Sequence, residues 1–323
     1  MRVCVLSDEE IEDYNPAVLL AGFDWEFKTV RAPVVEFAKK LREENAYDVY
    51  LNIFEGEDEN DHSGLDFVQA LEALNLPFTG ADPNFYTLTR EQMQDMAERA
   101  GINFARGFNA RLETDLEQAK SLRYPLIVKH PNSYASAGLL PESRVDTPEQ
   151  LRVQFLRNVN EYGSARVEEF ITGREVTCLV ADNPKDLSEP FAYPPAEVEF
   201  PEGESFLHVE VKWFNWGTYF VSLKDEELIK AVQDISRQMY LACGGTGYAR
   251  VDLRIRPNGE LVILEINPNC GILYYGPDDR GPADLPISWD PDGHKGFLDR
   301  IFRSAILRHR IRNGKPGINR VSI

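Results

Sequence analysis

The chain has 323 residues, of which 35 are lysine or arginine and 53 are aspartate or glutamate, so its formal net charge at pH 7 is −18. Such an acidic surface repels phosphate backbones and anionic lipids, which excludes non-specific binding to nucleic acid or to a membrane surface. Hydrophobic residues make up 43% and charged residues 27% of the chain, which is typical of a globular protein and not of a disordered or fibrous one.

The first segments alternate between strand and helix patterns. The chain opens with the apolar run Val3-Cys4-Val5-Leu6 and turns acidic too soon for a signal peptide, so this run is expected to be a buried strand. A helical pattern over 34–44, a strand pattern over 47–53 and a second helical pattern over 65–74 follow it. This alternation predicts a small parallel α/β unit.

The middle of the chain carries the patterns of a second unit. A helix is expected from about 90 to 100, where Gly101 stops it, and a strand at 125–129 ends at Lys129. The small-residue loop 132–138 comes directly after that strand. Two further strands, at 165–170 and 175–180, flank a turn, and a helix from about 296 to 312 ends the chain.

Cysteine spacing and hydropathy indicate the cellular compartment. No stretch reaches the ~20 uninterrupted apolar residues of a membrane span. The four cysteines are far apart, with no CxxC motif, which argues against a zinc site and against a disulfide framework. We therefore expect a cytoplasmic protein.

The strongest local pattern is a hairpin formed by residues 247–256 and 260–267. Asn258-Gly259 lies between them, and Asn-Gly is the preferred two-residue hairpin turn because both positions tolerate a positive φ. With these two residues as the loop, one face is entirely apolar and is expected to be core. Its predicted pairs are Val251 with Ile266, Leu253 with Leu264, and Ile255 with Val262.

The opposite face of the hairpin pairs Asp252 with Glu265 and Arg250 with Asn267. Two carboxylates on residues whose Cβ atoms are about 5 Å apart repel each other unless a positive charge lies between them. Mg²⁺ prefers oxygen ligands and is usually held by one or two carboxylates plus substrate phosphates, so Asp252, Glu265 and Asn267 are the predicted metal ligands. The alternative is a solvated face on which Arg250 or Arg254 forms the salt bridges.

Arg250-Val251-Asp252 followed by Glu265-Ile266-Asn267 resembles the magnesium-binding signature of the ATP-grasp superfamily. The order of segments is most similar to that of the D-alanine–D-alanine ligases, whose N-terminal lobe carries stretches similar to 52–56 and 76–80. The resemblance implies an α/β ATP-grasp fold with a Rossmann-like N-terminal lobe over residues 1–85. A central lobe over 86–180 and a C-terminal lobe over 181–323 are expected to clasp ATP between them.

The resemblance also implies which cations contact the phosphates of the nucleotide. Lys129, Lys212 and Arg90 match the phosphate-contacting positions, although at Arg90 the family usually has lysine. Ser136, in the loop 132–138, is expected to donate a hydrogen bond to the β- and γ-phosphates.

Residues 167–175 resemble the hinge that holds adenine in this family. Glu168 is expected to approach the adenine amino group, and the backbone of Glu169 and Ile171 to form an edge like that of a base pair. Glu175 is expected to bind the ribose hydroxyls. The alternative for Glu168 and Glu169 is an ordinary half-exposed strand.

The activity implied by the resemblance is ligation of a carboxylate to an amine through an acylphosphate, with ATP and Mg²⁺ or Mn²⁺ as cofactors. Arg250 and Lys212 are the expected catalytic residues, with Arg250 stabilising the acylphosphate and the oxyanion. The partners are small-molecule substrates, an amino acid or small peptide among them, and a second copy of the chain, since a homodimer is the family habit.

Substrate identity is where the sequence departs from the family. It has Ala135 and Trp213 where D-alanine ligases have a serine and a tyrosine, and Pro268-Asn269-Cys270 begins the stretch that replaces their Ser-Pro-Gly-Met. We therefore expect a product other than D-alanyl-D-alanine. The alternatives are an ATP-grasp phosphotransferase and a nucleotide-binding regulator without turnover.

Overall fold

The computed structural model describes residues 1–56, 63–132, 138–213, 219–274 and 281–314. Within these ranges, three sheets follow one another along the chain, each covered by helices. No helix in the described ranges is long and apolar enough to cross a bilayer.

The first sheet is parallel, with β1 (Arg2–Ser7) between β2 (Asp24–Thr29) and β3 (Val49–Asn52). Val3 and Val5 face one apolar cluster and Cys4 and Leu6 face another, and all four are fully buried. A strand buried on both faces needs a cover on each side of its sheet. The helices α1 (Val34–Glu44) and α2 (Ser63–Ala73) lie on one side. On the other side is the last helix of the described chain, at Gly293–Arg312.

The second sheet is antiparallel and is reached through two helices, α3 (Pro83–Tyr86) and α4 (Arg90–Arg99). Thr89 caps α4 in a capping box with Gln92, which fixes where the helix begins. The strand order is β4-β7-β5-β6, and α5 packs against this sheet. Its elements are β4 (Gly107–Ala110), β5 (Leu126–Lys129), β6 (Arg144–Val145), α5 (Pro148–Tyr162) and β7 (Ala165–Glu169).

The third sheet is antiparallel, in the order β11-β10-β8-β12-β13, with β9 beside β8. Its strands are β8 (Arg174–Ala181), β9 (Phe191–Ala192), β10 (Ala196–Glu199), β11 (Tyr219–Ser222), β12 (Tyr248–Ile255) and β13 (Leu261–Pro268). The helices of this part are α6 (Val209–Trp213), α7 (Glu226–Ala242), α8 (Asp284–Trp289) and α9 (Gly293–Arg312).

The third sheet begins earlier in the chain than the predicted boundary at 180. The whole of β8 pairs with β10 and β12, so the sheet already starts at Arg174. The division into lobes at 1–85, 86–180 and 181–323 otherwise stays a prediction.

The hairpin of β12 and β13 confirms part of the predicted register. Arg250 pairs with Asn267, Val251 with Ile266 and Asp252 with Glu265, as predicted. Beyond Asp252 the predicted pairs are wrong, because Leu264 is an extra residue in β13 and Leu253 pairs with Ile263.

The turn of the hairpin explains why the pairs between the bulge and the turn are shifted by one residue. The N–H of Arg256 donates to the carbonyl of Glu260 and the N–H of Gly259 to that of Arg256, so the loop has three residues instead of two. Gly259 lies at φ +83°, the left-handed position with which three-residue hairpin loops commonly end.

Candidate active site

The two carboxylates at the centre of the site are each held by an arginine. The carboxylate of Asp252 accepts hydrogen bonds from Arg250 Nε (2.9 Å) and Nη2 (3.0 Å) and from Thr177 Oγ1 (2.7 Å). Arg90 Nε lies 3.0 Å from Glu265 Oε2, and the Nη2 of Arg90 donates to the same oxygen. Arg250 therefore forms the salt bridge that the sequence offered as an alternative to a metal.

The two arginines relieve the repulsion between the carboxylates in different ways. Burial alone would raise the pKa of Glu265, but the positive charges of Arg90 and Lys129 outweigh it and lower the pKa to about 2. Burial would lower the pKa of Arg250, but Asp252 raises it above its ordinary value. Glu265 is thus suited to remain ionised, as a metal ligand must be.

The donor set at this point of the hairpin fits a hard divalent cation. Asn267 Nδ2 lies 2.8 Å from Asp252 and 3.3 Å from Glu265, so one amide contacts both carboxylates. Across the described ranges, no group of three or more His, Cys, Asp or Glu side chains could hold a metal ion. Two carboxylates and an amide instead match Mg²⁺, which keeps several waters and takes phosphate oxygens as further ligands.

Lys129 lies at the end of β5 with its Nζ 2.6 Å from Glu168 Oε2. Arg166, which is fully buried, donates from Nε to the other oxygen of Glu168 at 2.8 Å, and it also donates to Gln94. Burial lowers the pKa of Lys129, and Glu168 opposes that shift. Arg166 and Gln94 were not predicted from the sequence, because a strand arginine usually marks a solvated face.

Glu168 and Glu169 are not half-exposed strand residues. Their exposed fractions are 1% and 7%, so that alternative is wrong. Both oxygens of Glu168 are bound by cations, which makes it the residue that holds Lys129 in place. Burial would raise the pKa of Glu168, but Lys129, Arg166 and Arg90 together lower it.

The remaining hinge residues are held by backbone contacts. The N–H of Glu169 donates to the carbonyl of Arg106 at 2.9 Å, and Glu169 Oε1 accepts from the N–H of Arg123 at 3.2 Å. The carbonyl of Ile171 accepts from Arg254 at 2.9 Å. Contact of this backbone with a base stays a prediction.

Glu175 lies on β8 directly opposite Arg254 of β12. Arg254 donates from Nε (3.1 Å) and Nη2 (2.6 Å) to Glu175 Oε2. Burial raises the pKa of Glu175, and the charge of Arg254 opposes that shift. Arg254, named from the sequence only as a partner for the hairpin carboxylates, thus pairs with the predicted ribose acid instead.

Two predicted residues cannot be placed at the level of their side chains. Ser136 falls outside the described residues. Lys212 lies in α6, but its side chain is also outside what the structure describes. Their roles stay predictions.

The loop after β13 is held by a carboxylate that the sequence did not single out. Asp284, which is 1% exposed, accepts hydrogen bonds from the N–H groups of Leu273 (2.9 Å) and Tyr274 (3.1 Å). His294, at the start of α9, contacts the same carboxylate at 2.9 Å through Nε2. Cys270, in this loop, is buried, and burial raises the pKa of its thiol to about 12, which favours an inert buried thiol over a nucleophile.

Comparison with known proteins gives a consistent result. The family model described as "D-ala D-ala ligase C-terminus" matches residues 94–276, which is more than half of the chain. A D-alanine–D-alanine ligase of Oceanobacillus iheyensis is 29% identical over 255 residues, which are 74% of this chain and 64% of that protein.

Solved structures show the same fold. A D-Ala:D-Ser ligase from Enterococcus faecalis superposes with a TM-score of 0.70 at 16% identity, covering 94% of this chain and 99% of that one. A D-alanine–D-alanine ligase from Bacillus anthracis, solved with ATP, also gives 0.70, at 18% identity, over 97% of this chain and 99% of that one. The expected ATP-grasp fold is confirmed.

Proposed function

The chain belongs to the D-alanine–D-alanine ligase family, and on that premise we propose that it joins a carboxylate to an amine with conversion of ATP to ADP and phosphate. The observation that carries the proposal is the arrangement around the paired carboxylates. Asp252 and Glu265 lie side by side, and Lys129 and Arg90 are close enough to Glu265 to lower its pKa. Cations and carboxylates that converge in this way suit a metal-bound triphosphate.

The residues of β8 and β12 indicate how the nucleotide is oriented along these strands. Thr177 faces Asp252, and two positions along the strands Glu175 faces Arg254. Two residues of strand cover roughly 6.6 Å, which suits a phosphate group at one pair and a ribose at the next. The hinge at Ile171 lies beyond Glu175, where Arg254 contacts its carbonyl, and so the base belongs there.

The metal ligands are Asp252, Glu265 and Asn267. When bound there, Mg²⁺ or Mn²⁺ neutralises charge on the transferred phosphoryl group. Lys129 and Arg90 bind phosphate oxygens, with Ser136 and Lys212 as further donors. Arg250 stabilises the charge that develops on the acylphosphate and then on the oxyanion of the tetrahedral intermediate.

The substrate differs from two molecules of D-alanine. The loop that follows Asn267 carries Cys270, a buried thiol that presents no hydroxyl to a substrate. Asp284, which His294 contacts, fixes the backbone of this loop. Together with Ala135 and Trp213, this loop favours another amino acid, a peptide or a small carboxylic acid. We place the enzyme in the cytoplasm, as a homodimer.

The test is ADP release with Mg²⁺-ATP against a panel of amino acids, offered alone and in pairs, with mass spectrometry of the products. We expect a new mass equal to two panel members minus water, together with one ADP for each product. Turnover that yields a phosphorylated panel member and no condensation would contradict ligation and indicate a phosphotransferase. ATP binding without any turnover would contradict an amino-acid substrate and indicate either a substrate outside the panel or a regulator.

A further inference from the structure

Arg254 makes more contacts than an ion pair with Glu175 requires. It lies on β12, two residues after Asp252, and only 3% of it is exposed. Besides its two bonds to Glu175, it donates from Nη1 to the carbonyl of Ile171 at 2.9 Å and from Nη2 to the carbonyl of Ser205 at 2.6 Å. One guanidinium therefore joins β8, the hinge and the segment that leads into α6.

Aromatic side chains hold the guanidinium in its plane. Arg254 Cζ lies 4.9 Å from the ring centroid of Phe170 and 5.9 Å from that of Phe200. Phe206, next to Ser205, packs edge-on against Phe170 with ring centroids 5.7 Å apart. A planar fork that stacks on aromatic rings is a property of arginine and not of lysine.

The bonds to Glu175 use only one of its oxygens. Nε and Nη2 of Arg254 both donate to Oε2. No donor among the described residues reaches Oε1, so within the described part of the chain that oxygen is left to accept a hydrogen bond. The two hydroxyls of a ribose are donors of the kind that a carboxylate oxygen binds.

We propose that Arg254 is the positioning residue for the ribose of the nucleotide: it fixes Glu175 through Oε2 so that Oε1 accepts from a ribose hydroxyl. Through Ile171 and Ser205 it also ties the ribose acid to the hinge and to the segment before Lys212. The inference rests on the proposed function, since it takes the nucleotide to be bound along β8 and β12. Arg254 acts through Glu175 and does not itself contact the ribose.

The test compares equilibrium binding of Mg²⁺-ATP with that of Mg²⁺-2′,3′-dideoxy-ATP by calorimetry. The wild type is expected to prefer ATP by about tenfold or more, the effect of one charge-assisted hydrogen bond. In Arg254→Met, which keeps much of the length and apolar surface but none of the donors, the preference falls toward one. Arg254→Lys keeps the charge without the fork, and it is also expected to lose most of the preference.

Two further variants make the result specific. Glu175→Gln should lower the preference in the same way, and adding Arg254→Met to it should lower the preference no further. Arg174→Met is the matched control, because Arg174 is the neighbour of Glu175 and makes a similar fork to Glu197 on the exposed side of the sheet. The preference of Arg174→Met for ATP over 2′,3′-dideoxy-ATP should equal that of the wild type.

A merely structural role for Arg254 predicts a different outcome. Arg254→Met and Arg254→Lys would then weaken both nucleotides by one common factor, leaving the preference intact, and that result would overturn the inference alone. A wild type that binds neither nucleotide would overturn the proposed function as well. Circular dichroism of each variant checks its fold, and Arg254→Lys serves if Arg254→Met does not fold.

Discussion

Glu168 is a buried acid whose two oxygens are bound by Lys129 and Arg166. Removing one partner of a buried ion pair leaves the others without compensation, so Glu168→Gln is expected to lower the free energy of unfolding at pH 7 by about 3 kcal/mol. Urea denaturation of the wild type and of Glu168→Gln measures this difference in the free energy of unfolding. Glu197→Gln, which breaks the more exposed fork to Arg174, should cost less than about 1 kcal/mol.

The same substitution predicts a pH dependence. The cations around Glu168 lower its pKa in the folded protein below the ordinary 4.5. A carboxyl with a lowered folded pKa stabilises the protein above its unfolded pKa, and that stability is lost as the pH falls through the folded pKa. The stability difference between wild type and Glu168→Gln should therefore shrink below pH 4.5. A difference that stays constant down to pH 3 would contradict the assignment.

Arg250 is the residue expected to act on the reacting atoms. Loss of a donor that stabilises developing charge typically lowers kcat by roughly 10²- to 10³-fold. We expect a fall of that size for Arg250→Lys in steady-state assays, with little change in the dissociation constant for ATP. Equal losses in binding and turnover would show that Arg250 only holds Asp252. Arg237→Lys, on α7, is the control.

At the element scale, alanine substitutions at Gly173 and Gly259 distinguish the cost of a steric clash from the cost of backbone strain. Both have a positive φ, but a Cβ at Gly173 would lie 2.0 Å from the carbonyl oxygen of Ile255, whereas a Cβ at Gly259 meets nothing within 4 Å. Gly259→Ala should cost about 1 kcal/mol, the strain of the left-handed conformation alone. Gly173→Ala should cost clearly more, because the hinge must move away from β12.

Thermal denaturation of the two alanine variants is the measurement, and nucleotide binding is the second readout. Gly173→Ala is expected to weaken ATP binding because Ile171 and Glu175 flank the glycine. Equal melting temperatures for the two variants would contradict the close approach of the hinge to β12.

The hairpin shows what sequence periodicity can and cannot establish. The pairing of Asp252 with Glu265 follows from side-chain alternation and from the Asn-Gly turn, and it is confirmed. The extra residue at Leu264 has no local signature, because a bulge depends on what packs around the strand. The third residue of the turn shifts the strand pairing by one residue, and the bulge shifts it back before the metal ligands. The predicted pairs are therefore right at the metal ligands and wrong between the bulge and the turn.

The sequence indicated which charged residues belong to the site, but it did not indicate which residues they pair with. Lys129, Glu175 and Arg254 were all recognised as charged positions, but Glu175 and Arg254 meet only because β8 and β12 are neighbours in the sheet. No pattern within either strand encodes that pairing. The same holds for Arg166, whose burial depends on Gln94 of α4 and Glu168 of β7.

At the scale of the whole molecule, Asp182 links three parts of the chain. Its carboxylate accepts from Tyr240 Oη (2.8 Å) and the N–H of Gly247 (2.8 Å), and Arg308 of α9 lies 3.2 Å away. Arg308 also donates to the carbonyl of Gly80, which precedes α3. The network therefore ties the segment before α3, the third sheet and the last helix together.

Breaking this network should affect the cooperativity of unfolding. Asp182→Ala leaves the half-buried Arg308 without its carboxylate partner, so we expect a loss of about 3 kcal/mol and separate transitions for the N-terminal part and the rest. Differential scanning calorimetry measures both. A single transition at the wild-type temperature would show that the network does not hold these parts together.

The central claim is that a carboxylate is activated by ATP before the amine attacks it. In that reaction a carboxylate oxygen bonds to the γ-phosphorus while the bond from that phosphorus to the bridging oxygen breaks, so that ADP leaves. The amine then attacks the acyl carbon and loses a proton, and phosphate leaves with the carboxylate oxygen. The most direct measurement uses a carboxylate substrate labelled with ¹⁸O, identified from the amino-acid panel, and mass spectrometry of the released phosphate. One ¹⁸O atom per phosphate is the predicted result. Unlabelled phosphate released together with condensed product would contradict an acylphosphate.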